Sequence, residues 1–372
     1  MKTIFRVLIA ICVIATAMCQ STVFAQKKLN VNVNAIQLQK HFAARELQAT
    51  PQIKQLLVQQ RKFIADNKLS FNVSVTGVSH LKLTDITGEK EINANEAMDI
   101  KKLMTNKVLS TEIIDIVKQM QLSVCTASLS SYDARNDSLV PPIRLQMCGD
   151  CWAYSATGPL ECSYIRVNRI TSPATINCSE KQIVDCSGGG SCSGGLAYQA
   201  FNYLKNTHVK MMTEAQYPDN GANAACPAIV PATKVELVDW GVIDPSGDIN
   251  RIAPVDKIKE AICTYGPIAV SMNATPLFQN FAGGGVYYET PSDYANPVSN
   301  HAVMLVGWDD AKQAWLLRNS WDVTWGDDGY CWIKYNTNNI GKRAAWVVAK
   351  KVPLTFKPKK IDINILKRYL VQ

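Results

Sequence analysis

Long apolar runs, clusters of basic residues and histidines are all scarce in this sequence. After the first 25 residues no stretch is long and apolar enough to cross a membrane, so we expect no membrane span. The net charge of +8 is spread along the chain without a lysine or arginine run interleaved with aromatic residues, which gives no argument for nucleic acid binding. Only four histidines occur, so histidine-dependent chemistry has few candidates.

Apolar residues are plentiful enough for a large core. With 372 residues, 47% of them hydrophobic and 19% charged, the chain is predicted to be globular and to form two lobes. Residues 1–25 combine a short basic start, an apolar stretch over 7–18 and a small final residue, a pattern typical of a signal peptide. We therefore predict export to a periplasm, a lysosome-like compartment or the extracellular medium, where disulfides can form.

A cysteine pair precedes a predicted helix in the stretch Cys148-Gly149-Asp150-Cys151. A cysteine at a helix N-terminus meets the positive end of the macrodipole and unpaired N–H groups, which favour the thiolate over the thiol. Two structural cysteines flanking a turn are the alternative interpretation of such a pair taken alone.

His301 and Asn319 complete a candidate catalytic set with Cys151. His301 comes 150 residues after Cys151, just before a buried strand, and Asn319 follows 18 residues later, at the end of the next strand. A thiol needs a base to take its proton and return it to the leaving amine, and the base needs a third group to orient its ring. None of the other histidines has an asparagine on the next strand behind it.

Five blocks of sequence resemble, in the same order, those of the papain-like, cathepsin-like cysteine proteases. The blocks are 148–156, 179–186, 192–195, 300–303 and 318–321, and the resemblance runs from about 132 to 351. It implies an α+β two-lobe fold with a helical left lobe, a β-barrel-like right lobe and the active cleft between them. The short β-branched runs after residue 235 favour the same division into lobes.

The resemblance also implies roles for individual residues. Cys151 is the nucleophile, His301 the acid and base, and Asn319 the group that orients His301, while Gln146 joins the Cys151 N–H in the oxyanion hole. Gly194 and Gly195 are implied to contact the substrate through their backbone, and Trp321 is implied to cover the contact between His301 and Asn319. The pocket for the second residue before the scissile bond is implied to consist of Leu196, Ala197, Ser271, Ala302 and Ala349. No charge is expected in that pocket, so an apolar side chain should fit better than arginine. No metal and no cofactor is implied.

Several positions depart from the family pattern. Gln146 lies five residues before Cys151 instead of six, where Leu145 stands. Asp150 replaces a small neutral residue, and its charge should oppose thiolate formation. Pro159 lies inside the helix predicted from Cys151 and should kink it. Asp322 stands where the family has glycine, which should alter the following turn.

The chain is predicted to divide into a signal peptide (1–25), a propeptide (26–130), a peptidase domain (131–352) and a basic C-terminal tail (353–372). An independent N-terminal domain is the alternative for 26–130. The resemblance pairs Cys148 with Cys192 and Cys186 with Cys226. Cys162 and Cys178 are the candidates for an extra bridge, the sequence assigns no partner to Cys125, Cys263 or Cys331, and Cys125 is expected to be lost with the propeptide.

The predicted function is that of a secreted cysteine endopeptidase, made as a monomeric zymogen, that hydrolyses peptides or proteins through a thioester. Its own propeptide is the expected occupant of the cleft before activation. An impaired relative that binds peptides or a protein partner is the alternative. A thiol redox role for Cys148 and Cys151 is a third hypothesis, and it would leave His301 and Asn319 without a task.

Overall fold

The computed structural model describes residues 36–120, 125–290 and 298–352. The predicted signal peptide and C-terminal tail lie outside these residues. None of the helices in the described ranges has the length and apolar character needed to cross a membrane.

The N-terminal part of the chain is mainly helical. Its helices are α1 (36–48), α2 (Pro51–Asp66), α3 (Leu83–Ile86), α4 (Ala94–Thr105) and α5 (Thr111–Met120). Residues 37–67 have a helical periodicity that predicts a helix interrupted near Pro51. The interruption is confirmed, because Thr50 caps α2 by accepting a hydrogen bond from the Ile53 N–H and Pro51 occupies the first helical turn. Phe71, Val73 and Val75 alternate with polar residues, which predicts a strand. That prediction is wrong, since only an isolated bridge forms there, between Val73 and Phe281.

The helical lobe is built around one fully buried helix. Its elements are α6 (Cys151–Asn168), a 3₁₀ turn (Pro173–Thr175), α7 (Glu180–Cys186), the short strands β2 (Gly190–Ser191) and β3 (Gly194–Gly195), and α8 (Ala197–Thr207). Every side chain of α6 up to Val167 is buried, as expected for a helix surrounded by protein. The helix continues through Pro159 to its end.

The other lobe is an eight-stranded sheet with two helices. Its elements are β1 (Ser131–Asp133), β4 (Leu237–Val242), α9 (Val255–Tyr265), β5 (Ile268–Met272), α10 (Pro276–Gln279), β6 (Val286–Tyr287), β7 (His301–Asp309), β8 (Ala314–Arg318), β9 (Tyr330–Lys334) and β10 (Lys342–Ala349). The strand order is β4-β10-β5-β7-β8-β9-β6, with β1 on β7. All pairings are antiparallel except that of β6 with β9. The predicted α+β fold with a helical and a β-rich lobe is confirmed.

The N-terminal segment shares its core with the β-rich lobe. Phe71 packs against Phe281 and Tyr287, with ring centroids 5.9 and 4.8 Å apart. The backbone joins as well, because the Ser74 N–H donates to the Asn280 carbonyl at 3.0 Å. Removing this segment would therefore expose apolar surface on the lobe.

Three disulfides join described residues. Two are Cys148–Cys192 and Cys186–Cys226, the pairs that the family resemblance implied. The third, Cys125–Cys263, was not predicted, because the sequence assigned no partner to either cysteine. Cys162 and Cys178 are buried free thiols, so the expected bridge between them is wrong.

Candidate active site

Cys151 is the first residue of α6 and is completely buried. The preceding turn is fixed by the Cys148–Cys192 disulfide and by the Gly149 N–H, which donates to the Cys192 carbonyl at 2.9 Å. Because Cys148 is bonded to Cys192, it forms no dithiol with Cys151, which argues against the redox hypothesis. Burial raises the pKa of Cys151 to about 12, so its sulfur is a neutral thiol in this state.

His301, the first residue of β7, faces Asn319 at the end of β8. Its Nε2 lies 2.9 Å from the Asn319 Oδ1, an oxygen that also accepts the Ser320 N–H at 2.9 Å. That oxygen accepts, so Nε2 carries the ring proton and Nδ1 is the basic nitrogen. Nδ1 has no hydrogen-bond partner within the described ranges.

Trp321 covers this contact. Its indole stacks on the His301 ring with centroids 4.6 Å apart, and both side chains are fully buried. Burial lowers the pKa of His301 to about 4, although the hydrogen bond to Asn319 opposes that shift. The imidazole is therefore neutral, like the thiol.

Gln146 reaches the cleft despite its displaced position in the sequence. Its Nε2 donates to the carbonyls of Cys148, at 2.7 Å, and Ile86, at 3.1 Å. The other end of the amide is fixed, because Oε1 accepts from the Ser320 hydroxyl at 2.7 Å. The amide thus presents a donor to a carbonyl oxygen of another chain segment lying in the cleft.

Residues 86–91, here named the occluding segment, lie across the thiol. The Gly88 N–H donates to the Cys151 sulfur at 3.2 Å, and the Gly88 carbonyl accepts from the Gly195 N–H at 2.8 Å. Two residues further along the segment, the Lys90 N–H donates to the carbonyl of Gly195 at 3.1 Å. A Cβ on Gly88 would lie 1.7 Å from the Gly149 carbonyl oxygen, so only glycine fits here.

The pocket beside this segment differs from the one expected. Ala197, Ser271 and Ala302 line it, whereas Leu196 and Ala349 do not. The expectation of an uncharged pocket is wrong, because Arg343 also lines it and pairs with Glu89 of the occluding segment. Arg343 was not identified from the sequence. The signal that pointed to a basic partner was the pair of carboxylates, Glu89 and Glu91, near Gly88.

Asp150 does not act as the charge that the sequence suggested. Its side chain is fully buried, and neither oxygen receives an N–H or O–H from the described residues. Burial, followed by the neighbouring Asp219, raises its pKa well above the usual range for aspartate. The buried site therefore disfavours the negative charge beside Cys151 that the sequence suggested.

Asp322 takes the conformation that a glycine would otherwise supply. Its φ of 68° lies in the left-handed region, which aspartate tolerates better than most residues. Its carboxylate accepts from the Thr324 hydroxyl at 2.8 Å, and its N–H donates to the Arg144 carbonyl at 3.1 Å. The turn is therefore held by local hydrogen bonds.

Comparison with known proteins places this geometry in a family. The family model described as papain family cysteine protease matches residues 129–350. A cathepsin L-like peptidase of Aedes aegypti is 32% identical over 67% of this chain and 70% of its own length, and cathepsin L of Sarcophaga peregrina is 35% identical over 56% of this chain and 60% of its own length.

A solved structure extends the likeness to the N-terminal part. The structure of digestive procathepsin L2 proteinase from Tenebrio molitor larval midgut is 26% identical, with a TM-score of 0.60, and the match covers 83% of this chain and 93% of that one. The chain belongs to the papain family of cysteine proteases and is a cathepsin-like cysteine endopeptidase.

Proposed function

We propose that this chain is a secreted zymogen in which residues 26–130 are an inhibitory propeptide and residues 131–352 the peptidase domain. The observation that carries the proposal is the hydrogen bond from the Gly88 N–H to the Cys151 sulfur. The segment presents an N–H donor to the sulfur, so we expect it to fill the cleft without offering a bond to cleave. The likeness to a procathepsin supports the same division of the chain.

The proposed chemistry is acyl transfer to sulfur. Once the occluding segment leaves, Cys151 passes its proton to Nδ1 of His301, and the thiolate attacks the scissile carbonyl carbon. The oxyanion that forms is held by the Cys151 N–H at the start of α6 and by Nε2 of Gln146. His301 then protonates the leaving amine as the C–N bond breaks, which leaves a thioester on Cys151.

Water completes the cycle. His301 takes a proton from water, the hydroxide attacks the thioester carbonyl, and the acid product leaves as the sulfur regains its thiolate. Asn319 keeps the imidazole in the tautomer and orientation that both steps need, without adding charge.

Active-site labelling tests this proposal. We expect an epoxide that traps cysteine proteases to label Cys151 in processed protein, and expect Cys151→Ala and His301→Ala to abolish that labelling. Unprocessed chain, with the Gly88 N–H on the sulfur, should label at least tenfold more slowly. A folded, processed protein that is not labelled would favour the impaired, peptide-binding relative instead.

Export and the disulfides belong to the same proposal. The three disulfides among described residues suit an oxidising compartment. Sequencing the N-terminus of exported protein tests the boundary after Ala25, and gel filtration of the purified chain tests the expected monomer.

A further inference from the structure

The pocket beside the occluding segment holds a buried arginine that the proposed mechanism does not use. The Arg343 side chain is 4% exposed and lies at the start of β10 with a φ of 54°. At this point the pairing of β10 with β5 shifts register, between Lys342 and Ala345. Irregular pairing of this kind re-aims a side chain, and Arg343 shares a pocket with the residues expected to receive a substrate side chain.

Two carboxylates of the occluding segment neutralise this arginine. Nη1 of Arg343 donates to Glu89 at 2.8 Å, and Nη2 donates to Glu91 at 3.0 Å. The Ser271 hydroxyl donates to the same Glu89 oxygen at 2.8 Å. Among the described residues, these two are the carboxylates within ion-pairing distance of Arg343. Removal of the segment thus strips the guanidinium of both counter-charges.

The pocket fits a glutamate side chain in size as well as in charge. With Glu89 in place, the remaining cavity measures only about 10 Å³, at the lower limit of about 10–15 Å³ needed for one water. Apart from Arg343 and Ser271, the lining includes the small or apolar residues Ala269, Phe201 and Ala302. A planar guanidinium at the end of such a pocket matches a carboxylate better than any neutral group.

We infer that the Arg343 pocket is a carboxylate-binding subsite and that this protease selects glutamate, then aspartate, at the second residue before the scissile bond. The inference rests on the proposed function, since it needs a substrate whose backbone runs along Gly195 in the direction that presents a carbonyl carbon to Cys151, opposite to the parallel bridge of Glu89, with a side chain in the position that Glu89 occupies. Glutamate in a substrate replaces Glu89 on Arg343. An arginine side chain meets like charge there, and leucine leaves the guanidinium without a partner.

Four peptides that differ only at that position test the subsite on processed enzyme. We expect kcat/KM to be about 10- to 100-fold higher for glutamate than for glutamine, as for a charge-assisted hydrogen bond, and lowest for arginine. In Arg343→Met, the glutamate-to-glutamine ratio should fall to one or below and leucine should become the best substrate. Arg343→Lys, which keeps the charge, should retain part of the preference. Wild-type enzyme that cleaves the leucine or glutamine peptide as well as the glutamate peptide overturns the inference.

Epoxide labelling of the same samples separates this inference from the proposed function. Enzyme that is labelled at Cys151 but prefers leucine contradicts only the carboxylate subsite. Enzyme that is neither labelled nor active contradicts the proposed catalysis, and the subsite is then decided by the following measurement, which needs no turnover.

The full-length chain provides that second measurement. Arg343→Met leaves Glu89 buried without its partner, so the occluding segment should loosen and a maleimide should modify Cys151 at least tenfold faster, as read by peptide mapping. Glu89→Met in the same chain removes the unpaired carboxylate and should restore most of the protection. Thermal unfolding of each variant checks that the fold is retained. If the increase in the rate of maleimide modification in the double variant equals the product of the increases in the two single variants, the two positions act independently. That result contradicts a pairing between Arg343 and a carboxylate.

Discussion

Cys151 and His301 both lie in surroundings that disfavour a charge. Burial raises the pKa of the thiol to about 12 and lowers that of the imidazole to about 4. At neutral pH the full-length chain thus holds a thiol and a neutral imidazole, and the ion pair of the proposed mechanism must wait until water and substrate enter. The same residues that the proposal uses for catalysis are switched off by the packing around them.

Asp150 gives a prediction at this scale. Its raised pKa means that its contribution to stability is present below the ordinary value of 3.8 and is lost as the pH rises through the folded-state value. In Asp150→Asn the side-chain amide can still donate a hydrogen bond to Asp219, and the side chain can no longer ionise. We expect it to raise the free energy of unfolding at pH 7 by on the order of 1–3 kcal/mol, with little change at pH 4.

Denaturant unfolding of both proteins at the two pH values checks this expectation. The isosteric change leaves the packing beside Cys151 unaltered, and Asp133→Asn, at a partly exposed aspartate paired with Arg135, is the matched control and should not stabilise. A variant that is less stable than wild type at pH 7 contradicts a neutral Asp150.

Gln146 gives a second prediction. The amide is held at both ends, by the Ser320 hydroxyl and by two carbonyls. Gln146→Ala should lower kcat of the processed enzyme by about 10²–10³, as expected for loss of one oxyanion donor, with a smaller change in KM. Leu145→Ala, at the half-exposed neighbour, is the control and should retain near wild-type kcat. Equal losses in both variants would assign Gln146 a purely structural role.

At the scale of elements, sequence reasoning succeeded where the signal is local. The helix start at Cys151, the break at Pro51 and two of the β-branched runs after residue 235, Ile268–Met272 and Ala314–Arg318, follow from periodicity, capping and turn residues. Strand β10 was not predicted, and neither was its irregular register. The placement of Arg343 depends on that register, so no pattern within the sequence revealed it.

Long-range contacts explain the other differences. Cys125 and Cys263 are 138 residues apart, and spacing alone cannot select that pair among many. Whether Asp150 is charged depends on how completely other elements bury it. Sequence motifs therefore indicated the candidate catalytic residues, while the charge state and the pocket chemistry required the tertiary structure.

The occluding segment carries the prediction at this scale. A Cβ at position 88 would overlap the Gly149 carbonyl oxygen, which is backbone and cannot move aside cheaply. Gly88→Ala should therefore lift the segment from Cys151 and increase the rate of maleimide modification of that thiol in the full-length chain by tenfold or more. Lys90→Ala, at an exposed side chain whose backbone makes the hydrogen bond, is the matched control and should change little. If maleimide modifies Cys151 at the same rate in both variants, Gly88 does not lie against the Gly149 carbonyl oxygen as described.

At the scale of the whole molecule, the Cys125–Cys263 disulfide links the end of the proposed propeptide to α9. A cut at the predicted boundary after residue 130 would not free Cys125, contrary to the first expectation. We predict that processed protein keeps a fragment that leaves only on reduction, seen as a mass loss when reducing and non-reducing samples are compared. Cys263→Ser should release it without reductant. A mature N-terminus upstream of Cys125 would contradict the boundary instead.

Acid should loosen the docked segment through His301. In the docked state the imidazole is buried and its pKa is lowered to about 4, whereas a histidine in water titrates near 6.5, so we expect water that enters as the segment leaves to raise the pKa. Because the folded-state pKa is lowered, the stabilisation of the docked form is complete above pH 6.5 and is lost as the pH falls toward 4. The two pKa values set an upper limit of roughly 3 kcal/mol on this effect.

Glu89 acts in the opposite direction. Burial raises its pKa, with Arg343 opposing, so its contribution favours docking at low pH and weakens as the pH rises. Hydrogen exchange of peptides covering 86–91, corrected for intrinsic rates, measures the balance in a full-length Cys151→Ala chain that cannot process itself. We expect exchange to accelerate as the pH falls from 6.5 to 4, to accelerate more steeply in Glu89→Gln, and to lose this acceleration in His301→Gln, where the opposite effect of Glu89 remains. If the pH dependence of exchange in His301→Gln equals that of the parent chain, titration of His301 does not cause the acid sensitivity, and other groups must cause it.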